Sequence, residues 1–324
     1  MVFHEARGSL AAESRPVPSP ADHEVLVKID ACAVCRTDLH VQDNELVGQS
    51  YPIIPGHQVV GRVAEAGRNS SVSVGTRVGI TWLGWTCGDC EFCRRDKENL
   101  CTRARFHGYQ IDGGFAEYML VDSRYCFELE QTESAAEIAP LLCAGLIGFR
   151  SLRMAGDARH VGIYGFGSAA HIVTQVAARQ NRKVYAFTRP GDTATQGFAR
   201  KLGAAWAGGS DASPPEPLDA ALIFAADGQL IPKALRDLNK GGRVVCGGIH
   251  MTDIPSFPYA ALWGERSIQS VANLTRQDGK EFLSLARELH IRPKIKTYAL
   301  QSANEALDDL RHGRVNGTAV LVME

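Results

Sequence analysis

The chain has 324 residues and carries 35 Lys and Arg against 36 Asp and Glu, for a formal charge of −1. That balance gives no electrostatic footprint for nucleic acid, and no uninterrupted apolar run reaches the roughly 18 residues of a membrane span. Met1-Val-Phe-His-Glu lacks the basic-then-apolar order of a secretory signal, so the expected location is the cytoplasm, and the length predicts two domains.

The elements follow in chain order. Val25-Leu-Val-Lys-Ile-Asp alternates like a half-buried strand, and Val59 to Gly67, Gly75 to Ile80 and Phe115 to Val121 are short Val-rich or aromatic strand runs. Pro16-Val-Pro-Ser-Pro reads as a surface turn. From about Cys143 the rhythm changes to strand 160–164, helix 168–180, strand 183–187, helix 193–202, strand 220–224, helix 231–238 and strand 243–247. Strands alternating with helices predict βαβ units on a parallel sheet. A helix over 303–310 and a strand over 318–322 close the chain. The fold class is α/β: a β-rich domain over 1–140, a doubly wound parallel-sheet domain over 141–288, and a segment over 289–324 that returns to the first domain.

Nine cysteines, an odd number, make a poor disulfide framework, and clustered thiols in cytosol more often bind metal. Cys87, Cys90, Cys93 and Cys101 fall within fifteen positions, in a lobe over 85–105. Four thiolates suit tetrahedral zinc and leave no position for substrate, so this set predicts a structural ion. Asp89, Glu91, Asp96 and Glu98 are interleaved with the lobe's basic residues, which argues against a zinc ribbon that grips phosphate.

Gly165-Phe-Gly167-Ser168-Ala169-Ala170 follows a predicted strand and opens a predicted helix, the setting that makes a G-x-G-x-x-A pattern a dinucleotide signal. The helix N-terminus would present its N–H groups to the pyrophosphate. The next strand ends in Thr188-Arg189 where NAD-binding chains carry an acid, so NADP(H) is favoured over NAD(H), with both residues donating to the 2′-phosphate.

A second metal set is not readable from spacing alone, since a lone histidine such as the one in Pro55-Gly-His57 is more often structural. Cys35-Arg-Thr-Asp-Leu-His40, Pro55-Gly-His57, Leu141-Leu-Cys-Ala-Gly145 and Asp112-Gly-Gly-Phe-Ala-Glu-Tyr118 together resemble the zinc-dependent alcohol dehydrogenases of the medium-chain dehydrogenase/reductase superfamily, in the cinnamyl-alcohol-dehydrogenase-like branch. The resemblance implies a GroES-like catalytic domain beside a Rossmann domain, with Cys35, His57 and Cys143 as catalytic zinc ligands and thus two zinc ions per chain. It gives Thr37 the alcohol's hydrogen bond, His40 the onward transfer of its proton, Asp38 the orientation of His57, and Arg36 a place near the cofactor pyrophosphate. Trp82 and Trp85 are expected to wall an apolar pocket for a primary alcohol or aldehyde. The family's usual Glu after the ligand His is replaced by Gln58, whose neutral amide cannot approach zinc as a carboxylate during ligand exchange. A homodimer or homotetramer joined through 249–270 is implied, with no nucleic-acid or membrane partner. Two alternatives are a zinc-free enone or quinone reductase of the same superfamily and a non-catalytic binding protein that retains the fold.

Overall fold

A computed structural model describes residues 1–323. In chain order the first elements are β1 (Glu24–Val34), α1 (Arg36–Asp43), β2 (Val59–Ala66), β3 (Arg77–Ile80), β4 (Leu83–Trp85), β5 (Arg105–Phe106), β6 (Tyr118–Asp122), β7 (Cys126–Glu128), α2 (Ala135–Ile138) and α3 (Ala144–Met154). The alternating stretch supplies β8 (His160–Tyr164), α4 (Ser168–Arg179), β9 (Lys183–Thr188), α5 (Thr193–Lys201), β10 (Trp206–Gly209), β11 (Leu218–Ile223), α6 (Leu230–Asp237) and β12 (Leu238–Cys246). It ends with α7 (Tyr259–Leu262), β13 (Ser267–Ser270), α8 (Arg276–Glu288), β14 (Ile295–Ala299), α9 (Ala303–Arg311) and β15 (Thr318–Val322). No single helix among the described residues is long and apolar enough to cross a membrane.

The chain forms two compact units. One holds Met1–Ala144, Asn273–Lys280 and Pro293–Glu324; the other holds Gly145–Ala272 and Glu281–Arg292. In the first, a seven-stranded sheet runs β14-β15-β1-β2-β3-β7, with β6 also paired to β1. β1 serves three partners: β2 along most of its length, with register shifts at Leu26/Val27 and Ile29/Ala31, β6 on its first half and β15 on its second half. Val27, Ile29, Val59, Val78, Phe115 and Leu321 are among the buried side chains of this unit's core.

The second unit is a six-stranded sheet of order β10-β9-β8-β11-β12-β13, with every pair parallel. Renumbered from β8 this is 3-2-1-4-5-6, the doubly wound order whose direction reverses between the first and fourth strands. Tyr164, Phe187, Leu218, Ile223 and Leu235 pack its interior, and Tyr164 stacks on Phe187 at 4.1 Å.

Candidate active site and metal centres

The sheet register brings the first two candidate ligands together. β1 and β2 are antiparallel with Cys32 opposite Val59, so Cys35, just past β1, and His57, just before β2, emerge at the same end. Cys143 arrives from the turn Ala139–Leu142 that precedes α3. Cys35 Sγ and His57 Nε2 are 3.3 Å apart, and the ligand atoms of Cys35, His57 and Cys143 all lie within 4.8 Å of one another. No fourth ligand atom joins them among the described residues, which leaves one corner of a tetrahedron for a non-protein oxygen.

α1 begins on the first of these thiols. Cys35 is its N-cap: Cys35 Sγ accepts from Thr37 N at 3.3 Å, and Asp38 Oδ2 accepts from Cys35 N at 2.8 Å, closing a capping box. A sulfur capping a helix start is in the setting that favours thiolate. Asp38 Oδ1 accepts from Gly56 N at 3.2 Å and faces His57 Nδ1 at 3.4 Å. That last approach falls short of a full hydrogen bond and leaves buried Nδ1 with charge attraction only. Burial by itself would lower the His57 imidazole, but the Cys35 and Asp38 charges push it up to about 10. The Cys35 thiol sits well below its ordinary value, chiefly through the hydrogen bond from Cys143, and Cys143 is raised in turn. Burial raises the Asp38 carboxyl against the pull of His57. Protons held on His57 and Cys143 are the ones a divalent ion displaces on binding, because such ligands bind deprotonated.

Gln58 is fully buried. Its Nε2 donates to Ala33 O at 3.3 Å and its Oε1 accepts from Ala144 N at 3.4 Å, while its own carbonyl accepts from Ala33 N at 3.0 Å. One donor and one acceptor are both in use, and a carboxylate could serve only the second. The amide therefore fastens the residue after His57 to the residue after Cys143. Sequence reasoning treated Gln58 as a lost carboxylate and missed this role, because both partners are backbone groups.

Around the trio, Trp82 meets the His57 ring edge-on at 4.8 Å and stacks between Phe106 at 5.2 Å and Tyr109 at 5.7 Å. Trp85 makes no ring contact among the described residues, so of the two tryptophans only Trp82 is brought against a candidate ligand. Buried His107 was not singled out from sequence. Its Nδ1–H donates to Thr81 O at 2.8 Å, and burial pushes its imidazole down to about 4. Thr37 is half-buried, and its side chain hydrogen-bonds Cys35, helping to lower that thiol. His40 is buried with Nδ1 2.5 Å from Glu45 Oε2. Arg36, at the start of α1, is exposed.

The four-cysteine lobe has a different geometry. Cys87 Sγ lies 3.8 Å from Cys93 Sγ and 3.5 Å from Cys101 Sγ, and all four sulfurs are within 4.8 Å of one another. Two thiolates each about 2.3 Å from one tetrahedral ion are about 3.8 Å apart, so the set fits zinc. Short backbone links shape it: Cys90 N donates to Cys87 Sγ, and Cys93 N donates to Cys90 Sγ, which lowers the Cys90 thiol to about 7. Glu98 anchors the lobe by accepting from Arg276 N at 2.9 Å.

In the second unit, Gly165 follows β8 at the point where the strand order reverses. Its φ is +86°, and a Cβ there would stand 2.7 Å from Ala225 N, so glycine is required. Gly167 is the N-cap of α4 and a Cβ on it would meet nothing, leaving open space before Ser168 and Ala169 where a phosphate can approach. Thr188, one of the two expected 2′-phosphate donors, ends β9. It is buried, and its hydroxyl donates within the chain, to Arg189 O at 3.1 Å or Gly208 O at 3.4 Å, and accepts from Gln196 Nε2 at 3.2 Å. Arg189 is exposed, and its guanidinium makes no ion pair among the described residues.

Residues 21–131 match the family model of the alcohol dehydrogenase GroES-like domain. A probable alcohol dehydrogenase, AdhA, of Mycobacterium tuberculosis is 43% identical over 98% of this chain and 93% of its own length. The chain belongs to the zinc-type medium-chain alcohol dehydrogenases. An alcohol dehydrogenase of Geobacillus stearothermophilus is 32% identical over 100% of this chain and 98% of its own length. Among solved structures, a cinnamyl alcohol dehydrogenase of Sorghum bicolor superimposes with a TM-score of 0.90 at 25% identity, over 99% of this chain and 96% of that one. This alcohol dehydrogenase is an oxidoreductase acting on CH–OH groups with a nicotinamide cofactor, in the expected fold of GroES-like and Rossmann units.

Proposed function

We propose that the protein is an NADP(H)-preferring dehydrogenase of primary alcohols and aldehydes, with Cys35, His57 and Cys143 holding a catalytic zinc and Cys87, Cys90, Cys93 and Cys101 a structural one. The observation that carries this reading is the contrast between three donor atoms with an open corner and four sulfurs that close on themselves. Zinc in the first set supplies Lewis acidity, which lowers an alcohol's pKa and polarises an aldehyde carbonyl. The nicotinamide supplies hydride chemistry, and the protein supplies alignment.

The chain's own residues do the rest. Asp38 keeps the His57 ring aimed with Nε2 toward the sulfurs. The Thr37 hydroxyl, which hydrogen-bonds Cys35, accepts the alcohol's hydrogen bond, and His40 carries its proton away. Trp82 with its Phe106 and Tyr109 stack excludes water beside the ligands and presents an apolar wall, which favours aliphatic or aromatic primary alcohols. Ser168 and Ala169 begin the helix that receives the pyrophosphate, Arg36 offers it a cation, and Arg189 selects the 2′-phosphate. The test is turnover of an aldehyde panel by zinc-replete protein, followed by loss of nicotinamide absorbance. The reading predicts faster oxidation of NADPH than of NADH, and no aldehyde-dependent loss with either cofactor would contradict it.

Self-association through 249–270 is part of the proposal. β13 is the edge of its sheet, with open backbone hydrogen-bonding groups, and Ile249, Ile254, Tyr259 and Trp263 around it are exposed. Trp263→Glu should convert a dimer or tetramer to smaller species in light scattering; an unchanged mass would move the interface elsewhere.

A further inference from the structure

We propose that Thr86 is the side-chain donor that steadies Cys93 as a ligand of the lobe's zinc, and that Tyr125 and Arg276 aim its hydroxyl. The proposal rests on the reading of the four-cysteine lobe as a structural zinc site. Thr86 follows β4 and is 3% exposed, as is Tyr125, which precedes β7. Thr86 Oγ1 and the Tyr125 hydroxyl are 2.7 Å apart, and the Thr86 side chain hydrogen-bonds the Cys93 thiol. The threonine hydroxyl therefore stands, out of water, between a phenol and a ligand sulfur.

The order of donors follows from the number of protons. A sulfur on zinc is a thiolate and can only accept, so Thr86 gives its one hydroxyl proton to Cys93. The threonine oxygen is then left to accept, and the Tyr125 O–H donates to it, while Thr86 N donates to the phenol oxygen. A protonated Cys93 can donate back and reverse this order, so the ion fixes the direction. A hydrogen bond to a charged sulfur is of the stronger kind, and burial of Thr86 keeps water from replacing it.

Arg276, at the start of α8, holds the phenol in place. Its guanidinium lies 5.1 Å from the centroid of the Tyr125 ring, and its N and Nε donate to Glu98 Oε1 at 2.9 and 3.3 Å. The Glu98 backbone carbonyl accepts from Cys101 N at 3.1 Å. One run of contacts within the first unit thus joins the ligands Cys93 and Cys101, by way of Thr86, Tyr125, Arg276 and Glu98. Cys87 and Cys90 take backbone N–H groups from Cys90 and Cys93. Cys93 takes the backbone N–H of Gly88 as well, so the Thr86 hydroxyl is the donor that a substitution can remove.

Cadmium NMR of the fully substituted chain tests this without turnover, because an ion on four sulfurs and an ion at Cys35, His57 and Cys143 give separate resonances. Thr86→Val keeps the side chain's shape and deletes the donor. It should move the four-sulfur resonance and leave the other in place. Tyr125→Phe, which keeps the Thr86 hydroxyl and loses what aims it, should move the same resonance by less. Zinc affinity of the lobe, by chelator competition, should fall about tenfold in Thr86→Val and be largely recovered in Thr86→Ser. A four-sulfur resonance unmoved in both Thr86→Val and Tyr125→Phe, equal movement of the two resonances, or an affinity loss that Thr86→Ser does not recover would overturn the proposal. A native chain with no four-sulfur resonance would instead defeat the zinc reading of the lobe, and the role of Thr86 with it.

Discussion

The two cysteine-bearing sites make opposite uses of the same chemistry. In the lobe, four sulfurs come from fifteen consecutive residues, are shaped by N–H to sulfur contacts between near neighbours, and close on one another. In the other site, three ligands come from separate elements, and each is held by a neighbour that is not a ligand. Cys35 is held by the α1 capping box, His57 by Asp38, and Cys143 through the Gln58 amide. Local ligands with no open corner build stability; dispersed ligands with an open corner need a scaffold to hold them, and can act on a substrate.

The sharpest way to break the comparison is to remove one thiol from each site. Cys35→Ser should lower turnover by at least about a thousandfold with a small change in Tm, whereas Cys90→Ser should yield aggregating protein, since zinc binding there is folding free energy. Equal effects of the two on Tm would erase the distinction. Next in size is a pH effect at His107, just past β5. His107 receives from Thr81 no charge partner, only a carbonyl, and is pushed down to about 4 from an ordinary value near 6.5. The unfolded chain takes up this proton first as pH falls. Stability from the neutral ring is therefore whole above about 6.5 and declines by roughly 3 kcal/mol on the way to about 4. His107→Gln should lose that slope, so its stability deficit in urea narrows over this window; parallel native and variant curves would refute the assignment.

Gln58→Glu sharpens the scaffold side. A carboxylate cannot donate to Ala33 O, and it brings a charge into a fully buried position. Zinc affinity at the Cys35 site should fall about tenfold, with a lower Tm even in metal-free protein. Native-like affinity and Tm would show that the amide is no fastener. The smallest effect lies in the other unit: Arg189→Ala should raise KM for NADPH about tenfold and KM for NADH little, consistent with loss of one charge-assisted contact. Equal changes would remove Arg189 from the 2′-phosphate.

Legibility followed the same division between local and dispersed. The β8 to β12 rhythm was readable because each strand is a short apolar run and each helix has a stripe. β10, Trp-Ala-Gly-Gly, and β13, Ser-Ile-Gln-Ser, were not, because glycine or polarity masks them and only the neighbouring strand makes them strands. α1 was missed for a related reason. Its buried residues, Asp38, Leu39, His40 and Val41, are consecutive rather than a stripe, and a sulfur caps it. The four-cysteine lobe could be read from spacing. Cys35, His57 and Cys143 could be singled out only through the family resemblance, and the Gln58 bridge, the Trp82 stack and the Glu45 contact not at all, since their partners are set by the fold.

Elemental analysis of purified, dialysed protein, paired with the Cys35→Ser variant, tests the central claim most directly. Two zinc ions per native chain and one in the variant, with turnover lost alongside the missing ion, is the result expected. One ion in both proteins, with turnover retained, would contradict it.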